Sequence, residues 1–371
     1  MAFVRKGVIP IANKRTSQYL RTQYPNLELE IIDLTDWMHN HRFIFFLGSV
    51  ATFWEYASDI ITRKKRAKDC FWRTKFVFKT IKRIINSKIN AQEYAFTFQM
   101  QSLFDASTPH VPHFVYTDHT NLENLAYPIV NPDALYPQKC IDMEYTIYQN
   151  ASMIFTRSHN ITHSIVNEYH CRPEKVACVY AGSNAPIDDS ITLTNDNYTN
   201  KNILFVGIDW ERKGGPELVK AFMQLLPEHP DAQLTIVGAS PEIDHPNIHL
   251  IGRVPIEEVS RHYRNASIFC LPTKLEPFGI AFIEALTHKL PIVGTNIGAI
   301  PDFIEHGRNG YLVEPYEVNE LAAALKELLD DPEKCCRFGE YGNKKAVNHY
   351  NWDRVSERMA THINKILNFQ G

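Results

Sequence analysis

The chain has 371 residues, of which 44% are hydrophobic and 22% charged, with a formal net charge of −3. This length predicts two domains of common size, and the composition excludes a chain too polar to bury a core. The seven cysteines form no C-x-x-C pair and several lie in apolar runs, so we expect reduced core thiols rather than disulfides or a zinc site.

The first hundred residues suggest strands at 27–34, 43–47 and 95–100, with a loop at 6–15 and a short helix at 17–22. No long apolar segment that would indicate a secretory signal begins the chain. The most apolar window, 43–53, is shorter than the roughly 18–20 residues that a membrane-spanning helix needs. We therefore expect a cytoplasmic protein, with peripheral contact to the inner membrane face left open.

A strongly basic segment follows at 63–88, with eleven Lys or Arg residues and the single acid Asp69. Within it, Phe78, Ile81 and Ile85 recur at helical spacing among the bases, which is typical of an interfacial amphipathic helix. Such a helix would bind an anionic membrane surface. The alternatives are a surface helix whose apolar stripe faces the domain core, or contact with another polyanion. No nucleic-acid-binding motif supports a nucleic acid as partner.

A strand predicted at 113–116 is followed directly by Thr117-Asp118-His119-Thr120. Further elements follow as a strand at 152–156, a helix at 158–169 and a strand at 176–180. These elements complete a first domain at 1–185, and the polar stretch 186–200 is the expected linker.

The region 200–350 alternates strands and helices in the rhythm of a doubly wound parallel sheet. Strands are predicted at 202–206, 233–237, 248–251, 267–271, 291–293 and 311–313. Helices are predicted at 216–226, 256–263, 279–288, 318–329 and 332–350, and a last helix fills 351–371.

The loop after the first strand of this region has the sequence Gly207-Ile208-Asp209-Trp210-Glu211-Arg212-Lys213-Gly214-Gly215. Two adjacent cations and two glycines just before a helix suit a diphosphate, which needs close backbone approach and positive charge. A solvated basic turn is the alternative.

A second loop, LPTKLEPFGIAFIEAL at 271–286, joins a buried strand to a helix. Glu276 lies in the loop and Glu284 about a turn and a half into the helix. Because ligands bind at the carboxyl ends of parallel strands, the two carboxylates can flank a polyhydroxyl ligand. Read alone, they could equally be solvated surface charge.

The segment from Glu276-Pro277-Phe278-Gly279-Ile280 to Glu284 resembles the E-x7-E segment of family 4 retaining, nucleotide-sugar-dependent glycosyltransferases. The resemblance covers the C-terminal half and, more loosely, 94–184. It implies the GT-B fold, an α/β architecture of two Rossmann-like doubly wound domains facing a central cleft. It also implies that the C-terminal helix packs back on the N-terminal, acceptor-side domain.

The resemblance implies a role for each matching residue. Lys213, with Arg212, would hold the donor diphosphate; Glu276 would bind the sugar hydroxyls and Glu284 the ribose hydroxyls. His119 would lie beside the transferred sugar, although a loop histidine with a local Asp partner is the alternative. The remaining donor-binding positions are Gly207, Arg253, Val254, Phe278, Gly279 and Ile280.

We therefore expect a hexosyltransferase that uses a UDP- or GDP-linked sugar and a lipid-linked or glycan acceptor. No D-x-D motif follows a strand, so neither a divalent metal nor another cofactor is expected. Family members usually carry a glycine pair near 6–15 that this sequence lacks. A nucleotide-sugar-binding or membrane-docking protein without transferase activity therefore stays an alternative, as does an epimerase on the same fold.

Overall fold

The computed structural model describes residues 1–7, 12–183 and 195–368. The chain divides into two compact units. Unit 1 comprises Met1–Leu125, Val130–Ala181 and Trp352–Gly371, and unit 2 comprises Ala126–Ile129 and Gly182–Asn351.

The described part of unit 1 contains one six-stranded sheet in which every pairing is parallel. Its strands are β1 (Ala2–Arg5), β2 (Glu30–Asp33), β3 (Thr97–Met100), β4 (His113–Thr117), β5 (Met153–Thr156) and β6 (Val176–Cys178). The order β2-β1-β3-β4-β5-β6 reverses direction at β1 and β3, as in doubly wound folds.

Helices connect these strands. They are α1 (Ala12–Gln23), α2 (Leu34–Asn40), α3 (Arg42–Ile61), α4 (Ala67–Phe71), α5 (Lys75–Asn90), α6 (Gln138–Asn150) and α7 (His159–Asn167), with α15 (Trp352–Leu367) returning from the end of the chain. Short 3-10 helices occur at Leu122–Ala126, Pro132–Ala134 and Pro173–Lys175.

Helix α15 packs against α1 within unit 1. The rings of Tyr19 and Trp352 stack with centroids 6.0 Å apart, and the Tyr24 hydroxyl donates to the Asn364 side chain at 2.8 Å. The interior of the sheet is aromatic: Phe98 stacks on Phe155 with centroids 6.1 Å apart. These two rings lie on β3 and β5, on either side of β4, and they fill the space beneath the helices without polar atoms to satisfy.

The described part of unit 2 contains a second six-stranded parallel sheet. Its strands are β7 (Asn202–Gly207), β8 (Gln233–Gly238), β9 (Ile248–Gly252), β10 (Ile268–Leu271), β11 (Ile292–Thr295) and β12 (Gly310–Val313). The order β12-β11-β10-β7-β8-β9 is that of dinucleotide-binding folds, and the direction of winding reverses between β7 and β10. The predicted α/β class, with two Rossmann-like parallel sheets, is confirmed.

The helices of unit 2 cover this sheet. They are α8 (Asn195–Thr199), α9 (Gly215–Leu225), α10 (Ile256–Arg264), α11 (Ile280–Thr287), α12 (Ile300–Phe303), α13 (Val318–Asp330) and α14 (Pro332–His349). Each strand predicted for this region is present, with boundaries shifted by at most two residues. The predicted linker lies largely outside the described residues, and its end, 195–199, is helix α8.

The predicted strand at 43–47 is wrong, because these residues belong to the twenty-residue helix α3. Gly48, Thr52 and Tyr56 recur every fourth residue and form its buried side, which is helical rather than strand spacing. Among the described residues, α3 is also the one helix long and apolar enough to cross a membrane by length and composition.

The basic segment folds differently from the predicted interfacial helix. In α5, the side chains of Val77, Ile81, Ile85 and Ile89 are buried and form part of the core of unit 1. The apolar stripe therefore faces the core, which was the alternative interpretation, and α5 has no apolar face left for a membrane.

Candidate functional site

The predicted donor site lies at the carboxyl edge of the unit 2 sheet. Strands β7 and β10 are direct neighbours, pairing Ile203 with Ile268 and Leu204 with Phe269. The loops that leave them, 208–214 and 272–279, therefore emerge side by side at the reversal of strand order. This crevice is where open α/β sheets bind ligands.

The two loops are joined by backbone contacts. The Lys274 amide donates to the Arg212 carbonyl at 2.8 Å. Gly214 has φ +75°, and a Cβ there would lie 1.9 Å from the Pro272 carbonyl oxygen. Only glycine permits both this backbone conformation and this approach, so the loop geometry depends on it.

Lys213 and Glu276 meet across these loops. The Lys213 Nζ forms an ion pair with Glu276 Oε2, and the two side chains are 13% and 8% exposed. A nearly buried charge pair is held by its mutual attraction, and removing one partner leaves the other uncompensated. Two residues 63 positions apart in sequence thus form a single polar centre at the strand edge.

Arg212 is engaged in holding the loops. Its Nε donates to Asp209 at 3.1 Å, and its Nη1 donates to the Leu275 carbonyl at 2.6 Å. The guanidinium therefore fixes the second loop next to Glu276. Ile208, at the start of this loop, is 62% exposed.

Glu284 lies inside α11 and is only 9% exposed. The Tyr263 hydroxyl donates to its Oε2 at 3.2 Å, and no ion pair to it occurs among the described residues. Burial raises the pKa of Glu284 to about 7, and the Tyr263 hydrogen bond opposes that rise. A carboxylate without a cation partner is suited to accepting hydrogen bonds from hydroxyl groups.

The start of α11 links the two glutamates. Gly279 has φ +96°, and a Cβ there would lie 3.3 Å from Glu276 Cγ and 2.9 Å from the Phe282 ring. Ile280 is the first residue of the helix. Phe278 is buried, and its ring meets the Phe303 ring edge-on with centroids 5.6 Å apart. The helix N-terminus is therefore rigidly placed beside Glu276.

The other predicted donor residues lie on the same sheet. Gly207 ends β7, and a Cβ there would lie 3.2 Å from Lys213 Cγ. Arg253 and Val254 follow β9, which is two strands away from β7. They share the carboxyl edge with the loops, but no hydrogen bond or ion pair in the described chain joins them to Lys213 or Glu276.

Lys274 and Tyr127 also lie at this site but were not predicted from the sequence. Lys274 Nζ pairs with Glu217 at 2.9 Å, with both side chains largely buried, and the Tyr127 hydroxyl donates to the Glu276 carbonyl at 3.1 Å. The sequence does show Lys274 as a cation in the 272–279 loop, two residues before Glu276. Nothing in the sequence indicated Tyr127, which comes from a short segment of unit 2 far from the rest in sequence.

His119 belongs to unit 1, where it follows β4. The Asn124 amide nitrogen lies 3.0 Å from its Nε2 and also donates to the Asn121 carbonyl at 3.0 Å. Nε2 is therefore the acceptor, and the neutral ring carries its proton on Nδ1. That nitrogen is buried and has no hydrogen-bond partner in the described residues.

Burial lowers the pKa of His119, so the neutral ring predominates near neutral pH. The local Asp118 pairs instead with Arg157 at 2.8 Å. His119 therefore offers one unused N–H donor at the carboxyl end of a strand.

Comparison with known proteins matches residues 193–345 to the family Glycosyl transferases group 1. Spore coat protein SA of Bacillus subtilis is 29% identical over 180 residues, covering 43% of this chain and 48% of that protein. A GDP-mannose-dependent monoacylated alpha-(1-6)-phosphatidylinositol monomannoside mannosyltransferase of Corynebacterium glutamicum is 28% identical over 166 residues, covering 40% and 43%. The chain thus spans a little under half the length of these two relatives.

The structure of Anabaena HepE in complex with UDP has a TM-score of 0.65 and 13% sequence identity, covering 98% of this chain and 99% of that one. At this identity the likeness concerns the fold alone. The matches and the two parallel sheets place this chain among proteins of the GT-B glycosyltransferase fold, with a glycosyl transferases group 1 domain at residues 193–345.

Proposed function

We propose that this protein is a retaining glycosyltransferase of family 4 that transfers a hexose from a nucleotide-diphosphate sugar. The acceptor is a lipid-linked or glycan hydroxyl at the cytosolic face of a membrane. The observation that carries the proposal is the Lys213–Glu276 ion pair at the strand reversal of a glycosyl transferases group 1 domain.

The donor diphosphate binds at the loop after β7. Lys213 supplies a positive charge there, and the amides at Gly279 and Ile280 begin a helix whose N-terminus favours an anion. The diphosphate competes with Glu276 for Lys213, which frees the Glu276 carboxylate to accept hydrogen bonds from the sugar. Glu284 accepts from the ribose hydroxyls, and Arg253 and Val254 lie near the base. UDP, present in the HepE structure, and GDP, named for the Corynebacterium relative, are the nucleotides to test first.

Transfer breaks the bond between the sugar's anomeric carbon and the phosphate oxygen, and the acceptor oxygen bonds to the same face of that carbon. The acceptor's proton passes to the departing phosphate oxygen, so the step needs no enzyme nucleophile. Preorganised charge at Lys213 and the α11 amides stabilises the leaving diphosphate. This arrangement supplies what a divalent metal would supply, so transfer is proposed to be metal-independent. The His119 Nδ1–H is the proposed donor to a hydroxyl of the transferred sugar.

The experiment is incubation with UDP-, GDP- and ADP-sugars in the presence of EDTA, with nucleotide release measured for wild type, Lys213→Ala and Glu276→Ala. Wild type should release nucleotide from one of the three donor classes. In both variants the rate of that release should fall by on the order of a hundredfold or more. The matched control is Lys220→Ala, which removes an exposed lysine of α9. Equal release by all forms refutes the assignment.

A second arm distinguishes a nucleotide-sugar-binding protein without transferase activity. Tight binding of a nucleotide sugar, with no turnover on any lipid-linked or glycan acceptor tested, would support that alternative. An epimerase would instead convert the donor sugar without releasing nucleotide.

A further inference from the structure

Helix α3 is apolar on the side that faces outward. Six of its apolar side chains are between 51% (Val50) and 88% (Trp54) exposed. They are Phe43, Phe46, Val50, Phe53, Trp54 and Ile61. Spacings of three and four residues place the first five on one side of the helix. Ile61 follows the non-helical backbone of Tyr56 (φ −132°, ψ 18°), and we call the six together the α3 outer face.

The inner side of α3 is fully engaged with unit 1. An added Cβ on Gly48 would lie 2.7 Å from the Phe71 ring, and the Tyr56 hydroxyl donates to the Arg73 carbonyl at 2.9 Å. The Thr52 hydroxyl donates a hydrogen bond to the Gly48 carbonyl at 2.7 Å. These contacts hold the buried side of α3 against unit 1, while its opposite side stays exposed.

An ordinary surface helix has the opposite arrangement, with apolar residues inward and polar residues outward. Contiguous exposed apolar surface of this kind marks an interaction site. The α3 outer face is therefore a candidate interaction surface.

The charge around α3 indicates which partner. Arg42 is exposed at the start of the helix, and Arg63, Lys64 and Lys68 are exposed just beyond its end. The nearby acids Asp59 and Asp69 are already paired, with Lys65 at 2.9 Å and Arg66 at 2.6 Å. Exposed positive charge thus lies at both ends of an aromatic, apolar face, as anionic lipid interfaces require.

A cavity of about 460 Å³ opens beside the same helix. Phe45, Phe53 and Ile60 of α3 line it, together with Met38, Phe71 and Trp72. Phe53 belongs to both the cavity and the α3 outer face, so the apolar surface continues from the outside into the unit. The volume lies in the range of ordinary ligand pockets.

We propose that the α3 outer face lies in the plane of a bilayer containing anionic lipids, with its aromatic side chains at the boundary between headgroups and acyl chains. The bases at residues 42, 63, 64 and 68 contact the anionic headgroups. This inference deepens the proposed function and rests on it for the presence of a membrane. It moves the membrane contact from the helix at 75–90 to α3 and the bases beside it.

The test is flotation of the full-length protein with vesicles of mixed phosphatidylcholine and phosphatidylglycerol, and with phosphatidylcholine alone. Wild type should float with the mixed vesicles and much less with the neutral ones. Phe46→Ser/Trp54→Ser should lower the partition coefficient by on the order of a hundredfold, because two large apolar side chains no longer insert. Arg63→Glu/Lys64→Glu should lower it by on the order of tenfold or more.

Matched controls lie in unit 2. Met223→Ser removes an exposed apolar side chain of α9, and Lys220→Glu/Lys344→Glu reverses two exposed charges. Neither should change vesicle binding. All variants should bind UDP or GDP as wild type does, so loss of vesicle binding is distinguishable from failure of the donor site.

Four outcomes would overturn the proposal. Wild type could fail to bind mixed vesicles, or the α3 variants could bind as well as wild type. Sedimentation could show a concentration-dependent dimer that Phe46→Ser/Trp54→Ser abolishes, which would assign the face to a second copy of the chain. Membrane-bound protein could resist alkaline extraction, which would show that α3 spans the bilayer.

Discussion

Replacing Glu284 with glutamine should stabilise unit 2 at high pH and leave it nearly unchanged at low pH. Burial raises the pKa of Glu284 from 4.5 to about 7. At about 1.36 kcal/mol per pKa unit, that difference comes to about 3 kcal/mol. Glutamine keeps an oxygen that can accept from the Tyr263 hydroxyl, so the change removes the charge and little else.

The direction of the pH dependence of stability follows from which state, folded or unfolded, binds the Glu284 proton more tightly. Because the pKa is higher in the folded protein, the folded state holds the proton while the unfolded chain has already lost it. Below about pH 4.5 both states are protonated and the residue carries no penalty. Stability is lost as pH rises towards 7, and above that the full penalty of about 3 kcal/mol remains.

The assay is urea unfolding at about pH 5 and about pH 8, read by pulse-labelling hydrogen exchange in peptides of α11. Peptide-level readout isolates unit 2, since a two-unit chain need not unfold in one step. Glu257→Gln, at an exposed position of α10, is the control and should change neither midpoint. A stabilisation by Glu284→Gln that is equal at both pH values, or larger at about pH 5, would refute the reasoning.

Three further predictions concern the same site. The affinity of wild type for UDP should fall by about tenfold as pH drops from about 8 to 6, because Glu284 gains a proton, and calorimetry on Glu284→Gln should show a smaller fall. Lys213→Met and Glu276→Gln should each destabilise unit 2 by about 3 kcal/mol, and the double variant by clearly less than the sum; strict additivity in urea unfolding would contradict a direct ion pair. Gly214→Ala should cost more than about 2 kcal/mol, since its Cβ would meet a carbonyl oxygen at 1.9 Å. Gly307→Ala has a similar φ of +77° but open space, so its cost should be only about 1 kcal/mol, and equal melting temperatures of the two variants would be against this account.

The alternation of strands and helices after residue 200 determined the fold class of unit 2 and the loops that would hold its site. Carboxyl ends of parallel strands always meet at one edge, so Lys213 and Glu276 could be assigned to the same edge from sequence alone. Local residue types also marked the glycines at 214 and 279, which have the positive φ values expected of such turns.

Only the tertiary structure decided which loops are neighbours and which side of a helix is inside. The pairing of β7 with β10 brings Lys213 to Glu276, and no local pattern encodes that adjacency. Periodicity located an apolar stripe on α5 but could not say that the core of unit 1 would cover it. The continuous apolar run of α3 was misassigned for a related reason. Its core contact runs through Gly48, Thr52 and Tyr56, while four aromatic residues (Phe43, Phe46, Phe53 and Trp54) remain outside, so the apolar run at 43–47 indicated a strand instead of a helix. A sequence pattern describes one element at a time, whereas burial is a property of the elements packed together.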